Sequence, residues 1–248
     1  MTASPEWRDD LAASGALTVY SYNAFEPVIY DEGKGFEADL LRAVATKLGL
    51  AARFEPTAEF DGMWRRVLER PISCDLASGG FSDTPQRRAE GVAFTVPHYK
   101  NVQTLLVRAS DATSLRDYAD FDDARQVIGV VPGTTGEIFA RQRASEAGRD
   151  PARLVRGLPT ELELVRALRD GSIDAIARGA PGNLYQASLS TDVAVVAFRD
   201  FGESFAFAAD PARPRLLTAI DEAIRSVTND GRVSLEGWLG NPNVFGSR

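Results

Sequence analysis

Short apolar runs alternate with amphipathic segments along the first hundred residues. The pattern predicts a short helix over residues 5–13 and strands at residues 17–20, 51–55 and 74–77. A helix is predicted to begin at Lys34-Gly35-Phe36 and to end at Gly49, with a one-sided apolar face made of Leu40, Leu41, Val44, Ala45 and Leu48. A second helix carries Met63, Trp64, Val67 and Leu68. The order β-α-β-α-β is typical of a parallel sheet.

A second cycle of the same kind follows residue 100. An extended connection at residues 102–107 leads to strands at residues 127–131, 153–155, 174–177, 193–196 and 204–208. Thr160-Glu-Leu-Glu163 is a capping-box pattern that opens a helix with Leu162, Val165 and Leu168 and a closing Gly171. An amphipathic helix from residue 216 to residue 227 and a last one near residues 235–239 complete the chain.

Two cycles of about a hundred residues each predict two small α/β lobes. In open parallel sheets, ligands bind beyond the carboxyl ends of the strands. These ends are predicted at residues 22–25, 79–87, 133–136 and 178–181, two from each half of the chain. The sequence therefore predicts a ligand cleft between the lobes.

Composition and charge exclude several classes of function. The 248 residues are 44% hydrophobic and 25% charged, as in ordinary globular proteins, and no apolar run approaches the roughly 20 residues of a membrane span. A net charge of −7 argues against nucleic acid or an anionic membrane as partner. The single cysteine excludes an internal disulfide, and the single histidine leaves few zinc sites or Ser-His-Asp triads. The N-terminus has no export signal, so we expect either a cytosolic protein or one whose signal has been removed.

The stretch from residue 75 to residue 99 carries the clearest binding chemistry. An apolar strand breaks at Gly79-Gly80, where the backbone can approach a ligand closely, and Ser82, Thr84 and Arg87 follow. Hydroxyls, exposed amides and a guanidinium suit a carboxylate, which arginine can bind through two parallel hydrogen bonds. The alternative interpretation is a polar loop with surface arginines.

Five motifs in order resemble the family-3 solute-binding proteins, which serve bacterial ABC importers of polar amino acids. They are GKGFEADLLRAVATKLGL, FDGMWRRVLE, CDLASGGFSDTPQRRAEGVAFTVPHY, VIGVVPGTTGEIFA and GSIDAIARGAP, and they span almost the whole chain. The resemblance implies the two-lobed periplasmic-binding-protein-like (type II) α/β fold, with a doubly wound, mostly parallel sheet in each lobe. Residues 1–100 with 203–248 would form lobe 1 and residues 101–202 lobe 2, with a two-strand hinge near residues 98–103 and 200–204.

The resemblance also implies roles for individual residues. Arg87 matches the arginine that holds a ligand carboxylate, and Gly80 and Ser82 match the donors beside it. Phe25 and Phe60 match the aromatic residues that lie on both sides of the aliphatic part of a ligand. Tyr22, in the same turn as Phe25, is a further candidate ligand-binding residue. Thr134 and Thr135, at a helix N-terminus, match the second lobe's contacts with the carboxylate, which agrees with the free amides found at such a terminus. We predict that Trp64 is a core residue, that Arg88 is solvated, that His98 is structural and that Asp75 forms local hydrogen bonds.

One position departs from the family's pattern. Gly179, preceded by Arg178, stands where amino-acid-binding members place the aspartate that pairs with the α-ammonium. Arg178 would suit a second anionic group, as in a dicarboxylate, a keto acid or an opine-like molecule. In the alternative, Arg178 points to solvent and Glu203 or Asp61 holds an amine.

The resemblance implies a binding receptor and not an enzyme. We expect it to capture a small anionic or zwitterionic solute by lobe closure, to work with ABC transporter membrane subunits as a monomer, and to need no cofactor or metal. The resemblance implies a periplasmic or extracellular location, which allows anchoring as a lipoprotein. The alternatives are a cyclohexadienyl or arogenate dehydratase on the same scaffold, for which Glu137 is the acid within reach, and the sensory domain of a membrane receptor.

Overall fold

The computed structural model of the chain describes residues 5–121, 125–229 and 235–240. Its strands are β1 (Ala16–Tyr22), β2 (Ala24–Phe25), β3 (Ile29–Tyr30), β4 (Ala51–Thr57), β5 (Leu76–Ser78), β6 (Ala93–Phe94), β7 (Tyr99–Lys100), β8 (Gln103–Arg108), β9 (Ile128–Val130), β10 (Val155–Gly157), β11 (Ala175–Gly179), β12 (Val193–Arg199), β13 (Ser204–Phe205) and β14 (Ala208–Ala209). Its helices are α1 (Phe36–Leu48), α2 (Pro85–Ala89), α3 (Thr135–Glu146), α4 (Pro151–Leu154), α5 (Glu161–Asp170), α6 (Ala180–Leu189), α7 (Pro214–Thr228) and α8 (Leu235–Gly240). Short 3₁₀ helices lie at Glu6–Asp10, Met63–Leu68, Ala109–Asp111 and Tyr118–Asp120.

The chain divides into two compact units. The first takes in the chain up to Ala58, Gly62–Lys100 and the chain from Ser204 onward. The second consists of Glu59–Asp61 and Asn101–Glu203. The predicted ligand cleft between lobes stays a prediction.

The sheet of the first unit has the strand order β4-β1-β5-β14-β6. β1 pairs in parallel with β4 and β5, whereas β14 runs antiparallel to both β5 and β6. Four of the five strands therefore point the same way. β14 comes from the C-terminal part of the chain, so the first unit is completed only when the chain returns to it.

Helices α1 and α7 supply the core on one side of this sheet. Leu40, Leu41 and Val44 of α1 are fully buried, in one cluster with residues of the sheet and of α7. Gly49 ends α1 in the left-handed conformation, with φ 66°, as the C-terminal glycine predicts. At the other end, Gly35 has φ 103°, and an added Cβ would lie 2.6 Å from the carbonyl oxygen of Val28. Only glycine fits this helix start without a backbone shift.

A buried ion pair joins distant segments of the first unit. The Asp75 carboxylate accepts hydrogen bonds from the backbone N–H groups of Ala12 and Thr18, both at 2.8 Å, and from Arg213 Nη1 at 2.9 Å. Burial raises the pKa of the Asp75 carboxyl, against the effect of these hydrogen bonds and of the Arg213 charge. The prediction of local bonding was wrong, because these partners lie 57 to 138 residues away.

The second unit repeats the architecture with the order β10-β9-β11-β8-β12. β9 pairs in parallel with β10 and β11, and β8 runs antiparallel to β11 and β12. Again four strands share one direction, and the predicted α/β class is confirmed. Thr160 Oγ1 accepts the N–H of Glu163 at 3.2 Å and caps α5, which ends at Gly171 with φ 81°, as predicted.

Four local predictions need correction. The helices predicted over residues 5–13 and around Trp64 are present only as short 3₁₀ helices, Glu6–Asp10 and Met63–Leu68. Residues 151–154 form a helical turn, and the strand begins only at Val155. Leu162 is 58% exposed, and Leu164 instead is buried on the inner face of α5. None of the described helices is long and apolar enough to span a membrane.

Candidate functional site

Arg87 lies on the short helix α2, directly after the predicted polar turn. Thr84 is the N-cap of this helix, its Oγ1 accepting the N–H of Arg87 at 3.2 Å, and Pro85 holds the first helical position. The Arg87 side chain is 4% exposed, and its Nη1 donates to the carbonyl oxygen of Ser82 at 2.8 Å. The turn chemistry therefore fixes the guanidinium in the interior of the first unit.

Two aromatic rings pack against the Arg87 guanidinium. Its carbon lies 4.4 Å from the centroid of the Trp64 ring and 5.6 Å from that of Phe81. Trp64 meets Phe81 edge to face at 5.9 Å and donates its indole N–H to Glu90 at 2.8 Å. The prediction that Trp64 only fills the core missed this contact, for which the cation–π geometry is favourable.

Arg88, the next residue, has different surroundings. Its guanidinium forms two hydrogen bonds of 2.6 Å with the Asp83 carboxylate, and its side chain is half exposed. The prediction of a solvated neighbour is confirmed. Arg87 and Arg88 are therefore a matched pair for experiments, because they share a helix but not an environment.

Phe25, Gly80 and Ser82 come together beside Arg87's turn. Gly80 has φ 64°, and a Cβ on it would lie 2.5 Å from a ring carbon of Phe25, so the ring packs on the glycine. Phe25 also meets Phe205 edge to face at 6.2 Å. Ser82 is 1% exposed, and its hydroxyl has no partner among the residues that the structure describes. Tyr22 is buried at the end of β1, next to Gly79.

Glu37 is the centre of a buried hydrogen-bonded cluster that holds the Gly80 turn in place. The Glu37 carboxylate accepts the Ser78 hydroxyl at 2.6 Å and the Gly80 N–H at 3.1 Å, and it contacts His98 Nε2 at 2.9 Å. His98 stacks on Phe207 at 4.3 Å, so the predicted structural role of His98 agrees with its contacts. Because the Gly80 N–H already donates to Glu37, its predicted role as a donor to the ligand carboxylate gains no support.

The two threonines at the start of α3 have separate tasks in the second unit. Thr134 is the N-cap, with Oγ1 accepting the N–H of Glu137 at 3.3 Å and donating to the carbonyl of Val131 at 2.7 Å. Thr135 is buried, and its hydroxyl accepts from Gln103 Nε2 at 3.0 Å. Glu137 accepts the Gly133 N–H at 2.9 Å and pairs with Arg141 at 2.8 Å.

Gln103 connects Thr135 to a buried carboxylate. Its Nε2 donates to Glu203 Oε2 at 2.7 Å, and the Nδ2 of Asn101 donates to the same oxygen at 2.9 Å. Asn101, Gln103 and Glu203 are all buried, with at most 6% exposure. Burial, and to a smaller extent the Glu203 charge, raises the pKa of the neighbouring Tyr118 hydroxyl.

Arg178 ends inside the second unit. It is 5% exposed, so the alternative in which it points to solvent is wrong. Its Nε donates to Asn183 Oδ1 at 2.7 Å, its Nη2 donates to the Gly182 carbonyl at 2.9 Å, and its Nη1 pairs with Glu161. These contacts neutralise the charge locally, so they favour a structural role over the predicted contact with a second ligand anion.

Phe60 and Asp61 belong to the short segment that groups with the second unit. Phe60 is 6% exposed. Asp61 lies against the turn before α3, where a Cβ on Gly133 would be 2.5 Å from the Asp61 carboxylate. Gly133 has φ 76°, which permits this close approach.

The candidate residues thus form one group in each unit. In the first unit the structure brings together Tyr22, Phe25, Gly80, Ser82 and Arg87 with Trp64; in the second it brings together Thr135 with Asn101, Gln103 and Glu203. Asn101 and Gln103 were not among the predicted site residues, although polar residues two apart before the apolar run of β8 are a signal for one polar face. The ligand-binding roles that were predicted for other residues stay predictions. Within the described ranges, no three histidine, cysteine or acidic residues could together hold a metal ion.

Sequence comparisons identify the family to which the chain belongs. The sequence model of the family described as bacterial extracellular solute-binding proteins, family 3, matches residues 17–241. A comparison with curated protein sequences gave no match.

Solved structures also match along most of the chain. A structure of an ancestral amino acid-binding protein, described as a precursor of cyclohexadienyl dehydratase, is 27% identical, with a TM-score of 0.76 over 88% of this chain and 91% of its own. An ancestral arginine-binding protein bound to arginine is 26% identical, with a TM-score of 0.75 over 88% and 94%. An amino acid ABC transporter substrate-binding protein from Streptococcus pneumoniae, bound to L-arginine, has a TM-score of 0.79 over 96% and 97% at 24% identity, which supports the fold.

Proposed function

The chain belongs to family 3 of the bacterial extracellular solute-binding proteins and is a solute-binding receptor. We propose that it serves an ABC importer and that its solute is an amino acid. The carboxylate of that solute binds to Arg87, and the amino-acid side chain contacts the aromatic residues of the first unit. The single observation that carries the proposal is the buried Arg87 guanidinium, stacked on Trp64 at 4.4 Å.

A buried, oriented guanidinium is suited to a carboxylate for two reasons. Its planar fork matches the two carboxylate oxygens, so that binding is bidentate and directional. Because the Ser82 carbonyl and the Trp64 ring already hold the side chain, little rotational freedom remains to be lost on binding. The Ser82 hydroxyl is a further donor on the same turn.

An amino acid is a better candidate than the amine-free anions that Arg178 suggested. Arg178 is engaged by Glu161 and Asn183, so the reason for a second ligand anion is removed. Two of the similar structures are described as amino acid-binding and arginine-binding proteins. We extend this class of solute to the present chain.

The family supports a proposal for the partners and the location. Its members are extracytoplasmic, and we propose that this chain acts outside the cytoplasm as a monomer that delivers its solute to the importer's membrane subunits. We also propose that it binds without catalysis. Glu137, the acid considered for a dehydratase, has one carboxylate oxygen on the Gly133 N–H and the other on Arg141, and residues 180–183 contain no acid.

Substitution of each adjacent arginine tests the proposal. We expect Arg87→Ala to weaken binding of an amino acid by at least about thirty-fold, because it removes one partner of a buried charge pair, a loss of about 2 kcal/mol or more. Arg88→Ala should leave affinity unchanged, since Arg88 pairs with Asp83. Isothermal titration with the common L-amino acids measures both. Equal affinity in wild type and Arg87→Ala would refute the carboxylate assignment.

A further inference from the structure

Three buried side chains of the second unit share one hydrogen-bonding centre. Asn101 Nδ2 and Gln103 Nε2 both donate to Oε2 of Glu203, at 2.9 and 2.7 Å, and Gln103 Nε2 also donates to Thr135 Oγ1 at 3.0 Å. We call Asn101, Gln103 and Glu203 the acceptor cluster. Its members are 0%, 1% and 6% exposed. They come from opposite ends of the segment Asn101–Glu203, where the chain enters and leaves the second unit.

Each member of the acceptor cluster has one buried oxygen without a hydrogen-bond donor. These atoms are Asn101 Oδ1, Gln103 Oε1 and Glu203 Oε1. Both amide nitrogens already donate to the carboxylate, which fixes the orientation of the two amides. Buried polar atoms are almost always paired, so three unpaired acceptors in one connected group indicate a place for hydrogen-bond donors.

The negative charge of Glu203 indicates that the donor bound by the acceptor cluster is a cation. Among the described residues Glu203 takes part in no ion pair, and the donors to it are neutral amides. Arg178, the basic residue of β11, is held by Glu161, Asn183 and Gly182. A buried carboxylate is normally paired with a cation, and here the described part of the chain supplies none.

Gly179 makes room for this arrangement. A Cβ at this position would lie 2.7 Å from Oδ1 and 3.2 Å from Nδ2 of Asn101, so the Asn101 amide packs directly on the glycine backbone. Any larger residue would displace Asn101 and with it one donor to Glu203. Gly179 at the end of β11 therefore permits the placement of Asn101 from which its amide donates to Glu203.

We propose that the acceptor cluster binds the cationic nitrogen of the solute, an ammonium or a guanidinium. This inference rests on the proposed function and deepens it, because it makes Glu203 the residue that selects amine-bearing solutes over simple carboxylates. An ammonium brings positive charge and three N–H donors, which match the Glu203 charge and three unpaired oxygens.

The experiment compares each amino acid with its desamino analogue in wild type and Glu203→Gln. The probes are the common L-amino acids and, for each that binds, the acid that lacks only the α-amino group, by isothermal titration. In wild type we expect the amine to improve affinity by at least about thirty-fold. In Glu203→Gln the ratio of the affinities for the amino acid and its desamino analogue should fall to about threefold or less, because the charge partner of the amine is gone. Glu203→Asp should keep part of this preference. Glu163→Gln, which alters an exposed carboxylate of the same unit, should keep all of it.

The thermal stability of the solute-free protein separates recognition from a structural role. Removing a buried, unpaired charge should leave the melting temperature of Glu203→Gln equal to or above that of wild type without solute. A lower melting temperature together with an unchanged preference for the amine would overturn the inference, with a water molecule as the donor instead. If amine-free acids bind as well as amino acids and still depend on Arg87, the inference fails and the receptor function stands. If no probe binds wild type, the proposed function itself fails.

Discussion

Arg87 and Arg88 show how far single residues could be predicted. The resemblance singled out Arg87 for the ligand carboxylate, and Arg88 was predicted to be solvated; the structure has Arg87 buried and Arg88 exposed. The Trp64 contact could not be read in the same way. An aromatic residue among apolar neighbours gives no sign of which side chain its ring face meets, because the partner lies on a separate element.

The acceptor cluster escaped prediction for a related reason. Glu203 is 102 residues from Asn101 and 100 from Gln103, and the chain carries no local pattern that joins them. The contacts of Arg178 could not be predicted either, because its partner Glu161 comes from the first turn of α5. Charged residues that follow a strand predict a site at a sheet edge, but which charges cancel is decided by tertiary contacts.

Cys74 offers a prediction at the residue scale. It is fully buried, and burial raises the pKa of its thiol to about 12. The reactive thiolate is therefore rare in the folded protein at pH 8, whereas in the unfolded chain the ordinary pKa of about 8.5 makes it common. We expect almost no reaction with a coloured disulfide reagent in buffer and one equivalent after unfolding in guanidinium. Fast labelling of the native protein would contradict the placement of Cys74, and Cys74→Ser gives the blank.

At the scale of elements, caps and one-sided apolar faces were predictive. The bounds of α1 follow from its apolar face and Gly49, and those of α5 from Thr160 and Gly171. The failures fall on short segments. Five or six residues around Trp7 and Trp64 contain too few turns to separate α from 3₁₀ geometry by periodicity, and one turn of helix at residues 151–154 was taken for a strand.

The Asp75–Arg213 pair gives a prediction at this scale. It ties β5 to the residue before α7 and to the start of β1. Asp75→Ala should lower the free energy of unfolding by about 3 kcal/mol, because it removes the carboxylate nearest to the buried Arg213 charge, leaving Asp210 at 3.6 Å, and takes the acceptor from the N–H groups of Ala12 and Thr18. In the double variant Asp75→Ala/Arg213→Ala the loss should be smaller than the sum of the single losses.

Arg215→Ala is the matched control for this pair. Arg215 is two residues further on and forms exposed ion pairs with Glu6 and Asp10, so its removal should change stability little. Urea unfolding of the four variants and the wild type measures all of these differences. Strictly additive losses for Asp75 and Arg213 would show that the two side chains do not stabilise each other.

At the scale of the whole molecule, the order of elements predicted both sheets but not the antiparallel strand within each. β8 was predicted only as an extended connection, yet it pairs with both β11 and β12 inside the second sheet. β14 returns from the C-terminal part of the chain to lie between β5 and β6. Such pairings join segments far apart in sequence, and the hydrophobic pattern of a strand does not identify its neighbours.

The absence of catalysis is a prediction about the whole protein. A dehydratase needs a carboxylic acid placed to protonate a leaving hydroxyl, and both oxygens of Glu137 are engaged by Gly133 and Arg141. We expect no loss of prephenate or arogenate above the spontaneous rate when either is incubated with the purified protein. Turnover that is removed by Glu137→Gln would contradict this expectation.

The measurement that tests the central claim most directly is calorimetric titration of the wild-type protein with matched solutes. Each amino acid is compared with one analogue that lacks the carboxylate and one that lacks the amine; for L-arginine the carboxylate-free analogue is agmatine. We predict saturable binding of at least one complete amino acid and a loss of about thirty-fold or more for both of its analogues, because Arg87 and Glu203 each lose a partner. Binding that is indifferent to the carboxylate, or no binding of any amino acid, would contradict the account.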